Sequence, residues 1–326
     1  MNTKCPNCDQ HLDCDDDMQG VEIDCPACNK KFTIPQVQKF APLPENRAKP
    51  RADYLDPSEI QSPGEVLWLR ITLGICFAGF FLFFFFLADE EYGTDTGEAF
   101  LQAASGTPIL FAIVFGFAAL VLKIQQNNLL GTGVRVTTKQ YAWLHQLVGT
   151  ATDRLKMRMP DVYIVEGEGL QAFAIGLFGR KAIVLTSKMV KEFSHEELLF
   201  VIGHELTHIK CRHTFWNALM ATEGIGGIPI LSQAIKFTLL HWSRRAEYTC
   251  DRGGFIACQQ PEACLSGLVK LIVGSELAGD INLSEIVEQK KEMEGDITTS
   301  WTECLSTHPY SVNRIIGLTR YIDKVT

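Results

Sequence analysis

The chain has 326 residues and a net charge of −8, which leaves room for two or three units and is the wrong sign for a binder of nucleic-acid phosphates. Its 11 cysteines stand in a chain too long for a small disulfide-stapled scaffold, and the polar opening MNTKCPNCDQ does not read as a signal peptide. Metal ligation and reduced thiols are the expected uses of these cysteines.

The first unit, residues 1–34, carries CPNC at 5–8 and CPAC at 25–28, with 16 residues between them. Two CxxC knuckles at this spacing predict a small β zinc ribbon, with Cys5, Cys8, Cys25 and Cys28 as thiolate ligands of one structural zinc. Such a unit is too small to build its own core, so the metal closes it. It holds three Lys against seven Asp plus Glu, which argues against nucleic acid and for an unidentified protein partner. Residues 35–64 contain six prolines and little apolar periodicity, the composition of a linker.

Two apolar runs follow. Residues 71–88 contain 18 residues without a charge and 99–122 contain 24. Each is long enough to cross ~30 Å of hydrocarbon at about 1.5 Å per residue, so 66–124 is expected to be a hairpin of two transmembrane helices. The connecting loop DEEYGTDTGE has no Lys or Arg, whereas Arg47, Lys49, Arg51 and Arg70 precede the first run and Lys123, Arg135 and Lys139 follow the second. The positive-inside rule then puts both ends on the cytoplasmic side of a multi-pass membrane protein.

Residues 130–326 are expected to form one α+β domain, mostly helical. DVYIVE (161–166), QAFAIG (171–176) and KAIVLT (181–186) are β-rich runs separated by glycine-containing turns, and predict a small antiparallel sheet. Ser194 as N-cap, with Glu197 three residues on, then starts a helix. The apolar segment 215–242 contains Glu223, Lys236, three glycines and Pro229, and is expected to form two short helices rather than a third span.

The helix from Ser194 runs into HELTH. His204 and His208 are one turn apart, about 40° in angle and ~6 Å in rise, so both imidazoles can reach one ion. Glu205, rotated by about 100° from His204, can stand beside that ion and take a proton from its water. A catalytic zinc needs a third protein ligand. Downstream, SRRAEYTCDR offers Glu247 and, one turn later, Asp251, which is placed to hold the free ring N–H of a ligating histidine. His145, His195, His213 and His241 have no such company and read as surface or core residues.

HELTH, SRRAEYTCD, QAFAIG and STHPYSVNRI (306–315), in this order, resemble the HtpX and CAAX prenyl protease group of membrane gluzincin metallopeptidases over about 135–320. The resemblance implies a gluzincin-type peptidase domain with His204, His208 and Glu247 on a catalytic zinc and Glu205 as general base. It also implies that Asp251 supports a ligand, that His308 and Arg314 lie near the zinc and steady the oxyanion, and that Ala172, Phe173 and Ala174 form the edge strand that pairs with substrate. Three departures stand out: Gln171 where the family has Asn, Cys250 where it has Ala, and only 38 residues between His208 and Glu247. The function implied is a zinc endopeptidase of the bacterial inner membrane, acting on protein or peptide substrates, with misfolded or damaged membrane proteins as the expected targets. A catalytically inactive membrane adaptor that recruits partners through its ribbon is the alternative, and processing of prenylated tails is disfavoured by the small membrane portion.

Overall fold

The computed structural model describes residues 2–8, 10–13, 18, 21–33, 60–92, 126–176, 180–220, 229–294 and 310–326, with isolated helical positions between 113 and 124. Some positions, including 80–92 and 229–234, are described by backbone alone. The linker up to residue 59, most of the run 99–122, Cys14, Cys304 and His308 lie outside the described residues.

The N-terminal unit is two antiparallel hairpins. Strands β1 (Asn2–Lys4) and β2 (His11–Asp13) flank one CxxC turn, and β3 (Glu22–Asp24) and β4 (Lys31–Thr33) flank the other. Cys5, Cys25 and Phe32 are its buried apolar side chains. So little apolar area cannot offset the ordering of some thirty residues, and the unit needs a further closure.

Helix α1 spans Glu65–Tyr92, 28 residues that include the apolar run 71–88. Its side chains are described only as far as 79, and among the described residues no helix is long and apolar enough to cross a membrane. The first turn of α1 is anchored in the domain built by the later residues, because Glu65 and Ser62 are buried and Ile60 joins the main core.

A four-stranded sheet lies along one side of that domain, in the order β5 (Val134–Arg135), β6 (Asp161–Val165), β8 (Ala182–Thr186), β7 (Ala172–Ile175). The expected all-antiparallel sheet is corrected on one pairing: β6 and β8 run parallel, with Val162 opposite Ile183 and Ile164 opposite Leu185. The chain leaves β6, crosses to the far edge to lay down β7, and returns between the two. AIVLT is a central strand buried at all five residues, which is why it has no apolar–polar alternation. Strand β7 is antiparallel to β8 and has no other strand partner among the described residues.

Helices α2 (Ala142–Arg154) and α3 (Ser187–Glu192) flank strands β6, β7 and β8 in sequence, and α4 (His195–Lys210) follows. The Ser194 hydroxyl accepts from the Glu197 N–H at 3.2 Å and the Glu197 carboxylate accepts from the Ser194 N–H at 2.8 Å, a complete capping box. Twelve of the sixteen residues of α4 are buried, which makes it the centre of the domain rather than an amphipathic surface helix. Helix α5 (His213–Met220) follows a sharp turn, and α6 (Pro229–Cys258) is a single helix of 30 residues. The two short helices expected over 215–242 are therefore one short helix and the start of a long one. Pro229 opens α6 at a position where a missing N–H costs nothing. Helices α7 (Pro261–Val273), α8 (Leu283–Glu294) and α9 (Ser311–Val325) complete the described domain.

Helices α4 and α6 cross at glycines. A methyl on Gly254 would sit 2.7 Å from the Phe200 carbonyl oxygen, and one on Gly203 would sit 3.0 Å from the Gly254 Cα. Without side chains here the two backbones approach closely enough for ligands on each to share an ion. Gly254→Ala is expected to destabilise the protein by about 1–3 kcal/mol through overpacking, read as a lowered denaturant midpoint at unchanged slope.

Candidate active site

The inward faces of α4 and α6 bring three side chains with metal-binding groups together. His204 Nε2 and His208 Nε2 are 3.3 Å apart, and the Glu247 oxygens lie 3.6 Å from the first and 3.5 Å from the second. Ligand atoms on one tetrahedral zinc stand roughly 3.3–3.4 Å apart, close to the spacings found here, so His204, His208 and Glu247 could hold a zinc ion between them; the Cys250 sulfur also groups with the two histidines.

The histidines' other nitrogens are also partnered. His204 Nδ1 lies 3.0 Å from Asp251 Oδ1, one helical turn beyond Glu247 on α6. Arg314, from the first turn of α9, grips Asp251 through Nε at 3.0 Å and a terminal nitrogen at 2.6 Å, and its other terminal nitrogen is 3.3 Å from Glu247. Burial would raise the Asp251 pKa, but Arg314 and His204 hold it below the ordinary carboxylate range. Arg314 is therefore committed to two carboxylates, Asp251 and Glu247.

Glu205 is buried, and burial is the main reason its pKa is pushed up to about 7; a hydrogen bond from the Ala174 backbone N–H works the other way. A carboxyl poised near neutrality can accept and return a proton. Because the folded pKa exceeds the unfolded one, the metal-free protein should lose stability as pH rises from about 4.5 to 7, by about 3 kcal/mol from this residue. The difference between the pH–stability curves of metal-free wild type and Glu205→Gln isolates it; parallel curves would refute the assignment.

Ala172, Phe173 and Ala174 lie on the edge strand β7, which packs along α4. Gln171, just before it, is tied to Thr186 through its N–H and its carbonyl.

Residues 138–322 match peptidase family M48, more than half of the chain. The chain belongs to peptidase family M48. Plastoglobule-localized metallopeptidase 48, chloroplastic, of Arabidopsis thaliana is 34% identical over 54% of this chain and 55% of that protein. A Protease HtpX homolog of Nostoc punctiforme is 31% identical over 43% and 55% of the two chains. One of Persephonella marina is 24% identical over 71% and 90%. The chain thus spans about half the length of the first two relatives. Among solved structures, S. mikatae Ste24p superposes with a TM-score of 0.39 at 15% identity, over 79% of this chain and 66% of that one, a likeness too loose to fix any detail. The family read from the four motifs is the family found, and zinc metallopeptidase is the enzyme class that goes with it.

The matched M48 segment begins after both the ribbon and α1. In the ribbon, Cys5 and Cys28 sulfurs are 3.8 Å apart and those of Cys8 and Cys25 3.7 Å, and all four form one cluster. A tetrathiolate zinc with bonds of ~2.3 Å has sulfurs about 3.8 Å apart, so this donor set also fits the metal.

One histidine read from the sequence as a surface or core residue lies beside the site: His213 is a buried core residue with Nδ1 3.2 Å from His208 Nδ1. Arg212 adopts a left-handed φ of 60°, which turns the chain back between α4 and α5 and aims His213 at the site. Neither Gly nor Asn marks that turn, so the sequence carried no signal for it.

Proposed function

We propose that this M48 chain is a membrane-anchored zinc endopeptidase. The observation that carries the reading is the approach of His204, His208 and Glu247 to within 3.3–3.6 Å of one another, with the buried Glu205 carboxyl close enough to feel the charges of His204 and Glu247. When bound there, zinc supplies Lewis acidity toward the scissile carbonyl and the attacking water. Glu205 takes the proton of that water on its carboxylate and passes it to the leaving amine. Asp251 and Arg314 keep His204 and Glu247 in place, and the edge of β7 offers backbone groups to an extended substrate. His308 remains a proposed oxyanion donor on the strength of the motif it sits in.

The apolar runs 71–88 and 99–122 supply the anchor, with both ends and the peptidase domain on the cytoplasmic face. Substrates are then protein segments near a bilayer, in keeping with membrane protein quality control. The ribbon holds a second, structural zinc and meets a protein partner. The test uses the purified full chain in detergent, zinc-loaded, as wild type and Glu205→Gln, on casein. Cleavage by wild type alone supports the reading. Equal cleavage by both proteins, or none by zinc-loaded wild type, overturns it.

A further inference from the structure

Beyond the ligands and Asp251, a buried chain of polar groups leads away from His208. It rests on the zinc-site reading above, and it runs out of the segment matched to the family. With His208 Nε2 turned toward His204 and Glu247, its Nδ1 carries the ring proton and needs an acceptor. His213 Nδ1 stands there at 3.2 Å. A neutral imidazole can accept at Nδ1 only if its own proton is on Nε2, and His213 Nε2 is 2.9 Å from a Glu65 carboxylate oxygen. The second Glu65 oxygen accepts from the Thr249 hydroxyl, whose oxygen in turn accepts from the Ser62 N–H at 2.7 Å.

Every proton in the chain has one place. The opposite His213 tautomer would set two N–H groups face to face at 3.2 Å and leave an imidazole lone pair against the carboxylate. The Cys250 sulfur lies 3.4 Å from the same Nδ1. His213 and Glu65 are 1% and 3% exposed, so no bulk water competes. Such burial of a carboxylate is costly unless its partners are fixed, and here all of them are.

We propose that Glu65 and His213 are positioning residues of the metal site, which fix the ring and tautomer of His208 as Asp251 fixes those of His204. The difference is the source of the carboxylate. For His204 it lies on α6, four residues from a ligand; for His208 it is relayed through a second imidazole to the first residue of α1. The helix that carries the apolar run thus holds one end of the zinc site.

The test uses the full chain in detergent as wild type, Glu65→Gln and His213→Phe, with His204→Ala giving the ribbon's share of the metal. Zinc retention against a graded chelator and the visible spectrum of the cobalt-substituted protein are measured, with thermal midpoints alongside. The expected result is about 10- to 100-fold weaker binding at the catalytic site in both variants and an altered cobalt spectrum. Lowered thermal midpoints with unchanged metal affinity and spectrum would show a purely structural tie and overturn the proposal. If either variant does not fold, Thr249→Val, nearly isosteric, replaces it, and an unshifted spectrum and affinity there overturns the proposal equally. A wild type that retains no more metal than His204→Ala removes the zinc-site reading itself, whereas extra metal retained equally by wild type and Glu65→Gln removes only the role of the dyad.

Discussion

Glu247→Gln is expected to lower the zinc content of the purified chain from about two per molecule to about one and to bring casein cleavage to background. The amide keeps the shape of the side chain but loses the charge that faces His204 and His208 at 3.6 and 3.5 Å. It also leaves Arg314 one carboxylate short. Two neutral imidazoles alone are a weak seat for a dication, because a catalytic zinc depends on three protein ligands. The remaining zinc should belong to the ribbon, so adding Cys5→Ser and Cys8→Ser should remove that one as well. Metal analysis by mass spectrometry of the native protein reads both changes. A Glu247→Gln protein that still carries two zinc ions would refute the ligand set, and loss of both ions at once would refute the independence of the two sites.

Arg314→Ala should produce the largest stability loss. It removes the cation from two buried carboxylates, Glu247 and Asp251, which are 7% and 2% exposed. Breaking such a pair costs about 3–5 kcal/mol, because the partner charges stay behind without compensation. For a domain of this size that is a fall of roughly 10 °C in the thermal midpoint. The pH dependence carries a sign. In wild type the Asp251 pKa is held below its ordinary 3.8, so its contribution to stability is complete above that value and is lost only as pH falls through the lower folded one. Without Arg314 burial acts with less opposition and that pKa rises. The gap between wild type and variant should therefore narrow as pH falls from 7 toward 4. A gap that widens over this range would mean that Arg314 does not govern Asp251.

What the sequence discloses about this site follows the range of the interactions. The start of α4 is legible because a capping box is local: Ser194 and Glu197 are three residues apart. The helical period puts His204 and His208 on one face, and the motif adds Glu247 and Asp251. The spacing of the two CxxC pairs is equally local. Other features depend on where distant segments end up. The parallel pairing of β6 with β8 requires β7 to pass to the outer edge, which no single strand encodes. Gly253 and Gly254 lie inside α6 where α4 leaves no room for a Cβ, a contact set by the packing of two distant helices. The resemblance places Arg314 near the metal, but only the fold shows that its guanidinium is taken up by Asp251 and Glu247. Glu65, separated from His213 by 148 residues, is beyond any pattern reading.

The crossing of α4 and α6 has a consequence for the abundance of the protein. Two bare helix backbones are pressed together beside three side chains that could hold a dication. An ion that binds this arrangement and not the unfolded chain shifts folding by mass action, by about 4 kcal/mol when free zinc is a thousandfold above its dissociation constant. A shift of that size is a large part of the total stability of an ordinary domain. Copy number under zinc limitation would then be set by turnover of the metal-free chain, so a cell short of zinc would lose this peptidase rather than store it inactive.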